Sequence, residues 1–136
     1  MKNFILLYVK DAMTKDVVSI EPNTGLREVK SLFERHDYNS LPVIEEGKLV
    51  GIVTKLDFIK HFIITPKSMI PNYDALLDDA VETVMNETPL TVSPETPLTR
   101  VLELMVETKL RSFPVVDSDM EVLGIVSRED VVKRLG

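Results

Sequence analysis

The chain has 136 residues, and 16 Lys and Arg side chains against 22 Asp and Glu give it a formal net charge of -6. Its 44% hydrophobic and 28% charged residues are typical of a globular domain and exclude an intrinsically disordered chain. The absence of Cys excludes a disulfide framework, a Cys nucleophile and Cys-ligated zinc. The five Gly form no GxGxxG or GxxxxGK[ST] phosphate loop.

The first feature along the chain is a short apolar run from Phe4 to Val9, which Lys10 and Asp11 interrupt. It is shorter than the roughly 7–15 apolar residues of a signal peptide. No stretch reaches the about 20 apolar residues that a transmembrane helix needs. We therefore predict a cytoplasmic protein that has no membrane partner.

Charge is distributed unevenly, because residues 69–136 carry 13 of the 22 acidic side chains but only 6 of the 16 basic ones. An acidic half repels a phosphate backbone at long range. The basic residues are scattered, and no aromatic residues alternate with them. We therefore predict no nucleic-acid partner.

The same pattern occurs twice in the chain, with an offset of about 72 residues. About 15 of roughly 50 aligned positions are identical, which is too many for chance. Identical pairs occur along the whole repeat, for example Met13 and Met85, Pro22 and Pro94, Leu26 and Leu98, Ser40 and Ser112, and Asp57 and Asp130. We interpret this as an internal duplication.

Each copy begins with a β-prone run, at residues 17–20 and 90–92, followed by a helix with one apolar face. In the second copy the pattern predicts Thr96 as the helix N-cap and Pro97 as the first helical residue. Two strands follow in each copy, at 41–44 with 49–53 and at 113–116 with 122–126. A last helix is predicted to begin at about Lys55 or Arg128.

The predicted order is therefore β-α-β-β-α, twice, which gives an α/β (α+β) fold. Each copy is too small to cover its own sheet, so we expect the two repeats to pack with pseudo-twofold symmetry. The predicted domains are residues 1–64 and 79–136, joined by a linker at 65–78. This linker leads into a helix that we predict from Ala75 to about Met85.

The motif Gly-Ile-Val-Thr/Ser-x-x-Asp ends a strand and begins a helix in both copies. The N–H groups and partial positive charge of a helix start suit a phosphate. Thr54 and Ser127 offer hydroxyl groups there, and Asp57 and Asp130 can each accept two hydrogen bonds from a ribose diol. The same residues also fit a capping box, with Asp replacing the usual Glu. Both interpretations remain open, and they are compatible.

The segments Val9-Lys10-Asp11-Ala12-Met13-Thr14 and Val81-Glu82-Thr83-Val84-Met85-Asn86, the Ser-x-Pro-Val strands and the two Gly-Ile-Val motifs follow one order in both copies. This order resembles a pair of cystathionine-β-synthase (CBS) domains, a Bateman module, over nearly the whole chain. The resemblance implies a regulatory module that binds AMP, ADP, ATP or S-adenosylmethionine in clefts between the repeats. It further implies a homodimer, an unidentified protein partner and no catalytic cofactor.

The resemblance also assigns the ligand-binding residues by position. The first cleft is expected to use Thr54, Lys55 and Asp57 with Leu90, Val92, Leu110, Arg111 and Ser112. The second is expected to use Ser127, Arg128 and Asp130 with Val18, Ile20, Tyr38, Asn39 and Ser40. Arg111 can neutralise a phosphate and the matching Asn39 cannot, so the two clefts are expected to differ in affinity.

Two other functions are alternatives to ligand sensing. A purely structural homodimerisation or scaffold module would leave the clefts empty. A small hydrolase would need a nucleophile paired with a base, and no such motif is present, so we predict a protein that is not an enzyme. His36 and His61 lack the spacing of a metal site, and we interpret them as surface or partly packed side chains.

Overall fold

The computed structural model describes residues 3–63 and 72–136, with helices and strands in both copies of the repeat. Their bounds are α1 Leu26–Arg35, β1 Ser40–Glu45, β2 Lys48–Thr54, α2 Lys55–Lys60, α3 Tyr73–Leu76, α4 Leu98–Thr108, β3 Ser112–Val116, β4 Val122–Ser127 and α5 Arg128–Val132. The strands form two sheets, β1 with β2 and β3 with β4. The mixed fold, the four hairpin strands and the starts of α2 and α5 are therefore confirmed. None of the described helices has the length and apolar character that crossing a membrane requires.

The chain divides into two compact units whose limits cross the sequence repeats. Unit 1 comprises Met1–Val18, Glu46–Leu49 and Pro89–Gly136, and unit 2 comprises Ser19–Glu45 and Val50–Thr88. The N-terminal segment thus groups with the second copy, and the segment before the second copy groups with the first. Half of the predicted linker, residues 65–71, lies outside the described residues.

The core of unit 1 lies between α4 and the hairpin β3–β4. Phe113, Val115 and Val126 are fully buried on the hairpin, and Leu98 and Val101 are fully buried on α4. The spacing of the α4 residues matches one helical face, as predicted. The hairpin register pairs Ser112 with Ser127 and Phe113 with Val126.

Unit 2 has buried apolar residues on the matching elements α1 and β1. The α1 residues Leu26, Val29 and Leu32 are buried along one face of the helix. On β1, Leu41 and Val43 have no exposed surface. The predicted apolar helical face of the first copy is therefore confirmed as well.

The predicted strands at 17–20 and 90–92 are wrong, because each run contributes only one bridged residue. The bridges are parallel and join Ile20 to Val43 and Val92 to Val115. The chain turns directly after each bridge, since a threonine hydroxyl accepts the next backbone N–H. Thr24 accepts it from Glu21 at 2.9 Å, and Thr96 accepts it from Ser93 at 3.0 Å.

The predicted N-cap of α4 is also wrong. The Thr96 hydroxyl belongs to the preceding turn, and Pro97 occupies the N-cap position with an extended ψ of 141°. Pro97 therefore lies one residue outside the helix. The first free N–H of α4, that of Leu98, donates to the Leu7 carbonyl at 3.0 Å, so a distant backbone group replaces the side-chain cap.

The predicted helix from Ala75 to Met85 is wrong too. Helix α3 ends at Leu76, and a short 3-10 turn follows at Val81–Thr83. Carbonyls between them accept hydrogen bonds from the start of α1: Asp79 from the Leu26 N–H and Leu77 from the Arg27 N–H, both at 2.9 Å. These long-range bonds satisfy α1, whose N-cap Gly25 has no side chain, and they replace the local bonds of a longer helix.

Candidate functional site

The glycine of each Gly-Ile-Val motif lies against a segment that crosses the second strand of its hairpin. In unit 1, Thr14 forms an antiparallel bridge with Ile125, and a Cβ on Gly124 would lie 2.7 Å from the Thr14 carbonyl oxygen. In unit 2, a Cβ on Gly51 would lie 2.8 Å from the Met85 Sδ. Both positions require glycine because there is no room for a side chain, and neither has a positive φ.

Thr54 and Asp57 form a capping box at the start of α2. The Thr54 hydroxyl accepts the Asp57 N–H at 3.0 Å, and the Asp57 Oδ2 accepts the Thr54 N–H at 2.9 Å. Both side chains are half-buried. The capping interpretation of this motif is therefore confirmed, and a ligand contact remains compatible with it.

Ser127 and Asp130 form the same box at the start of α5, with distances of 3.2 Å and 3.0 Å. Asp130 has one more partner, because the Thr14 hydroxyl donates to its Oδ1 at 3.1 Å and lies 3.3 Å from its Oδ2. Asp130 is 9% exposed. Sequence reasoning missed Thr14 as a site residue, because 116 residues separate it from Asp130.

Two of the predicted phosphate-binding cations have partners in the protein. The Lys55 Nζ lies 5.9 Å from the centre of the Phe33 ring, which is within the range of a cation–π contact. The Arg128 Nη2 donates to the Lys109 carbonyl at 2.8 Å, at the left-handed residue that ends α4. Arg111 differs, since its exposed guanidinium has no hydrogen bond or ion pair with any residue in 3–63 or 72–136.

Unit 1 brings five of the predicted residues to the open end of its hairpin. Ser112 pairs with Ser127 across the strands, and the Arg128 N–H donates to the Arg111 carbonyl at 2.9 Å. Asp130 follows in α5. Leu90 and Leu110 are 40% and 37% exposed, while Val92 is buried under its bridge to β3.

Unit 2 places the remaining predicted residues around its own hairpin. Ser40 begins β1 and is buried, at the same end of the hairpin as Thr54. Tyr38 is half-buried and stacks on the ring of His36 at 4.8 Å, and Asn39 is half-buried beside it. Ile20 is buried, whereas Val18 belongs to unit 1 and ends the first of its three segments. The predicted pairing of each Asp with strands of the other repeat spans the two units and stays a prediction.

The second histidine has a partner that the sequence did not indicate. The His61 Nε2 lies 2.7 Å from the Asp79 Oδ2, with the two side chains 21% and 44% exposed. Within the described parts of the chain, no group of three or more His, Asp or Glu side chains is placed to hold a metal ion.

Known proteins resemble this chain in both sequence and structure. The family model described as "CBS domain" matches residues 9–64 and 81–136. Protein MJ1225 of Methanocaldococcus jannaschii is 30% identical over 134 residues, 92% of this chain and 46% of that protein. Its crystal structure aligns with 93% of this chain and 47% of its own, with a TM-score of 0.87. This chain spans less than half the length of the first curated relatives it matches, at 46%, 25% and 24%.

Two further solved structures are covered almost completely by this chain and contain adenosine compounds. CBSX2 of Arabidopsis thaliana, in complex with AMP, is 29% identical, with coverage of 93% and 94% and a TM-score of 0.79. The CBS domain pair of protein MJ0100, in complex with 5-methylthioadenosine and S-adenosyl-L-methionine, is 29% identical, with coverage of 93% for both chains and a TM-score of 0.75. With the family model matched twice, the chain belongs to the CBS domain family and is a tandem pair of CBS domains.

Proposed function

We propose that this chain is a regulatory module that binds an adenosine-containing ligand, either an adenine nucleotide or an S-adenosyl compound. The observation that carries the proposal is the matched pair of hydroxyl and carboxylate groups, Thr54 with Asp57 and Ser127 with Asp130, at equivalent positions of a CBS pair. Solved structures of similar chains of nearly equal length contain AMP, or 5-methylthioadenosine and S-adenosyl-L-methionine.

The chemistry of these groups suits a nucleoside. An ionised carboxylate accepts hydrogen bonds only, and a ribose diol offers two donors. The Asp57 Oδ1 accepts no hydrogen bond from any described residue, so it is available to such a donor. Arg111 supplies an exposed guanidinium next to Ser112 and Ser127, where it can bind a phosphate with two parallel hydrogen bonds.

We propose regulation rather than catalysis, because the chain is a tandem pair of CBS domains and the similar solved pairs contain AMP, or 5-methylthioadenosine and S-adenosyl-L-methionine, as bound compounds. A ligand regulates only if it binds one conformation of the protein better than another. The proposed output is therefore a ligand-dependent change in conformation or in contact with a partner protein.

Thermal unfolding in the presence of AMP, ADP, ATP or S-adenosylmethionine tests the proposal, with calorimetry on every compound that acts. A ligand at 100 times its Kd stabilises the folded state by about 2.7 kcal/mol, which raises Tm by several degrees. The double variant D57A/D130A should lose this increase. If none of the four compounds changes the Tm of the wild-type protein, the proposed function is wrong.

A second proposal concerns the homodimer, and an apolar groove in unit 1 supports it. The groove has a volume of about 390 Å³ and lies between α4 and α5. Val106, Val132 and Leu135 line it and are 78%, 64% and 52% exposed, which is unusual for a cluster of large apolar side chains. We propose that a second copy of the chain covers this face.

Sedimentation equilibrium tests the dimer, with V132E as the variant. We expect a dimer for the wild-type chain and a monomer for V132E, because a buried carboxylate without a partner is costly. A monomeric wild-type protein would contradict this proposal. A dimer that binds no adenosine compound would support the purely structural function instead.

A further inference from the structure

The two halves of the molecule present the same backbone arrangement beside each Asp of the motif. In unit 1 the Thr14 N–H and carbonyl bond to the Ile125 carbonyl and N–H at 2.8 Å and 2.9 Å. In unit 2 the backbone of Asn86 makes the same two bonds with Ile52, at 2.8 Å and 3.0 Å. Thr14 and Asn86 are therefore equivalent positions, and any difference between them comes from the side chains.

These two side chains point to different partners. The Thr14 hydroxyl donates to the Asp130 carboxylate. The Asn86 Oδ1 instead accepts the N–H and the hydroxyl of Thr88, at 3.1 Å and 3.3 Å, within its own turn. In the described part of the chain, the Asn86 side chain forms no hydrogen bond with Asp57.

The acceptor sites of the two carboxylates are consequently used to different extents. Asp130 accepts the Ser127 N–H on Oδ2 and the Thr14 hydroxyl on Oδ1, and it is nearly buried. Within residues 3–63 and 72–136, Asp57 accepts only the Thr54 N–H, on Oδ2, and it is more exposed than Asp130. A diol approaching Asp130 has to displace the Thr14 hydroxyl, whereas a diol approaching the Asp57 Oδ1 displaces no hydrogen bond from a described residue.

We infer that Thr14 is a positioning residue, which holds Asp130 as a structural group and leaves Asp57 as the carboxylate that receives the ligand diol. This inference rests on the proposed function and makes the two sites unequal, with the tighter one at Asp57. A hydrogen bond to a charged group corresponds to about a 10- to 100-fold difference in Kd, which sets the expected scale of the inequality.

Exchanging the side chains at the two equivalent positions tests the inference, with AMP as the probe in isothermal calorimetry. Thr14→Val removes the hydroxyl at nearly constant shape and should tighten AMP binding at the weaker site by about 10-fold. Asn86→Thr introduces a hydroxyl beside Asp57 and should weaken the tighter site by a similar factor. Asp57→Asn should reduce AMP affinity at least 10-fold more than Asp130→Asn does.

Thr83→Val is the matched control, because it removes another hydroxyl donor, which bonds to the Ala80 carbonyl at 2.6 Å. It should leave both AMP affinities unchanged. Equal losses in Asp57→Asn and Asp130→Asn would overturn the inference while the proposed function stands. An unchanged AMP affinity of the weaker site in Thr14→Val would also overturn the inference.

A double-mutant cycle in urea unfolding judges the inference separately from ligand binding. Thr14→Val and Asp130→Asn should be coupled, so that the double variant is less destabilised than the sum of the single variants. The equivalent pair, Asn86→Val and Asp57→Asn, should be additive. Coupling of equal size in both pairs overturns the inference. If the wild-type protein binds none of the four adenosine compounds while this coupling is found, the proposed function fails and the structural role of Thr14 stands.

Discussion

Asp57 and Asp130 occupy the same position of two matching capping boxes, and their local hydrogen bonds differ in length by at most 0.2 Å. They differ in what reaches them from elsewhere in the chain. A threonine from the N-terminal segment bonds to Asp130, while the equivalent asparagine bonds to Thr88, and the Asp57 Oδ1 accepts no hydrogen bond from the described part of the chain. Duplication has therefore preserved the backbone, and single side chains have made the two carboxylates unequal.

The cations beside the two boxes differ in the same way. Arg128 reaches the carbonyl that ends α4, whereas Lys55, at the equivalent position, lies over the Phe33 ring. The guanidinium of Arg128 thus closes a helix end, and the ammonium of Lys55 covers an aromatic side chain. Each of these differences between the units can be tested by making the same substitution in both.

The largest effect is expected for Gly124→Ala. The new Cβ would meet a backbone oxygen, that of Thr14 at 2.7 Å, which can move only with its whole segment. We expect a loss of about 3 kcal/mol in the free energy of unfolding, measured in urea. Gly51→Ala should lose less, about 1 kcal/mol, because its Cβ would meet the Met85 side chain at 2.8 Å and a backbone oxygen, that of Asn86, only at 3.1 Å. Equal losses would show that the two crossing segments are equally rigid.

An intermediate effect is expected for Asp130→Ala. This substitution leaves the half-buried Ser127 N–H and the Thr14 hydroxyl without their acceptor, so we expect a loss of about 2 kcal/mol. Asp57→Ala removes a half-exposed cap and should lose about 1 kcal/mol. Urea unfolding of the two variants without ligand gives the comparison. A larger loss in Asp57→Ala would contradict the assignment of Asp130 as the structural group.

The smallest effects are expected for the cations. Arg128→Ala should lose about 0.5–1 kcal/mol, because an exposed charged hydrogen bond to the end of α4 is removed. Lys55→Ala should lose about 0.5 kcal/mol, the lower end for an exposed cation–π contact, because the Lys55 Nζ lies 5.9 Å from the Phe33 ring centre. Thermal unfolding at two salt concentrations measures both variants. Equal losses of stability in the two variants would show that Arg128 and Lys55 contribute equally to their units.

Features that depend on neighbouring residues were predicted from the sequence. The Thr-x-x-Asp and Ser-x-x-Asp patterns predict capping boxes, because both partners lie three residues apart on one turn. The apolar spacing predicts α1 and α4, and the β-prone runs around Glu46-Gly47 predict the first hairpin. The positive φ values of both turn residues, 52° and 79°, agree with that prediction.

Two of the wrong predictions concern backbone groups that bond to distant segments, whereas the strands predicted at 17–20 and 90–92 end at local threonine turns. The helix expected from Ala75 is interrupted because the carbonyls of Leu77 and Asp79 bond to the start of α1. The Thr96 hydroxyl was predicted to cap α4, but Leu7 supplies that bond and Thr96 closes a turn. A local sequence pattern indicates the nearby groups that can bond to a backbone N–H or carbonyl. It does not show which distant group bonds to that N–H or carbonyl instead.

The sequence by itself determined the duplication, the CBS resemblance and the groups that can contact a nucleoside, because these follow from residue type and short spacing. Only the tertiary structure decided that the Thr14 side chain bonds to Asp130 and that the Asn86 side chain bonds to Thr88. The reason is physical: a hydrogen bond between groups 116 residues apart forms only where the fold brings them within about 3 Å. The availability of each carboxylate is therefore a property of the folded chain.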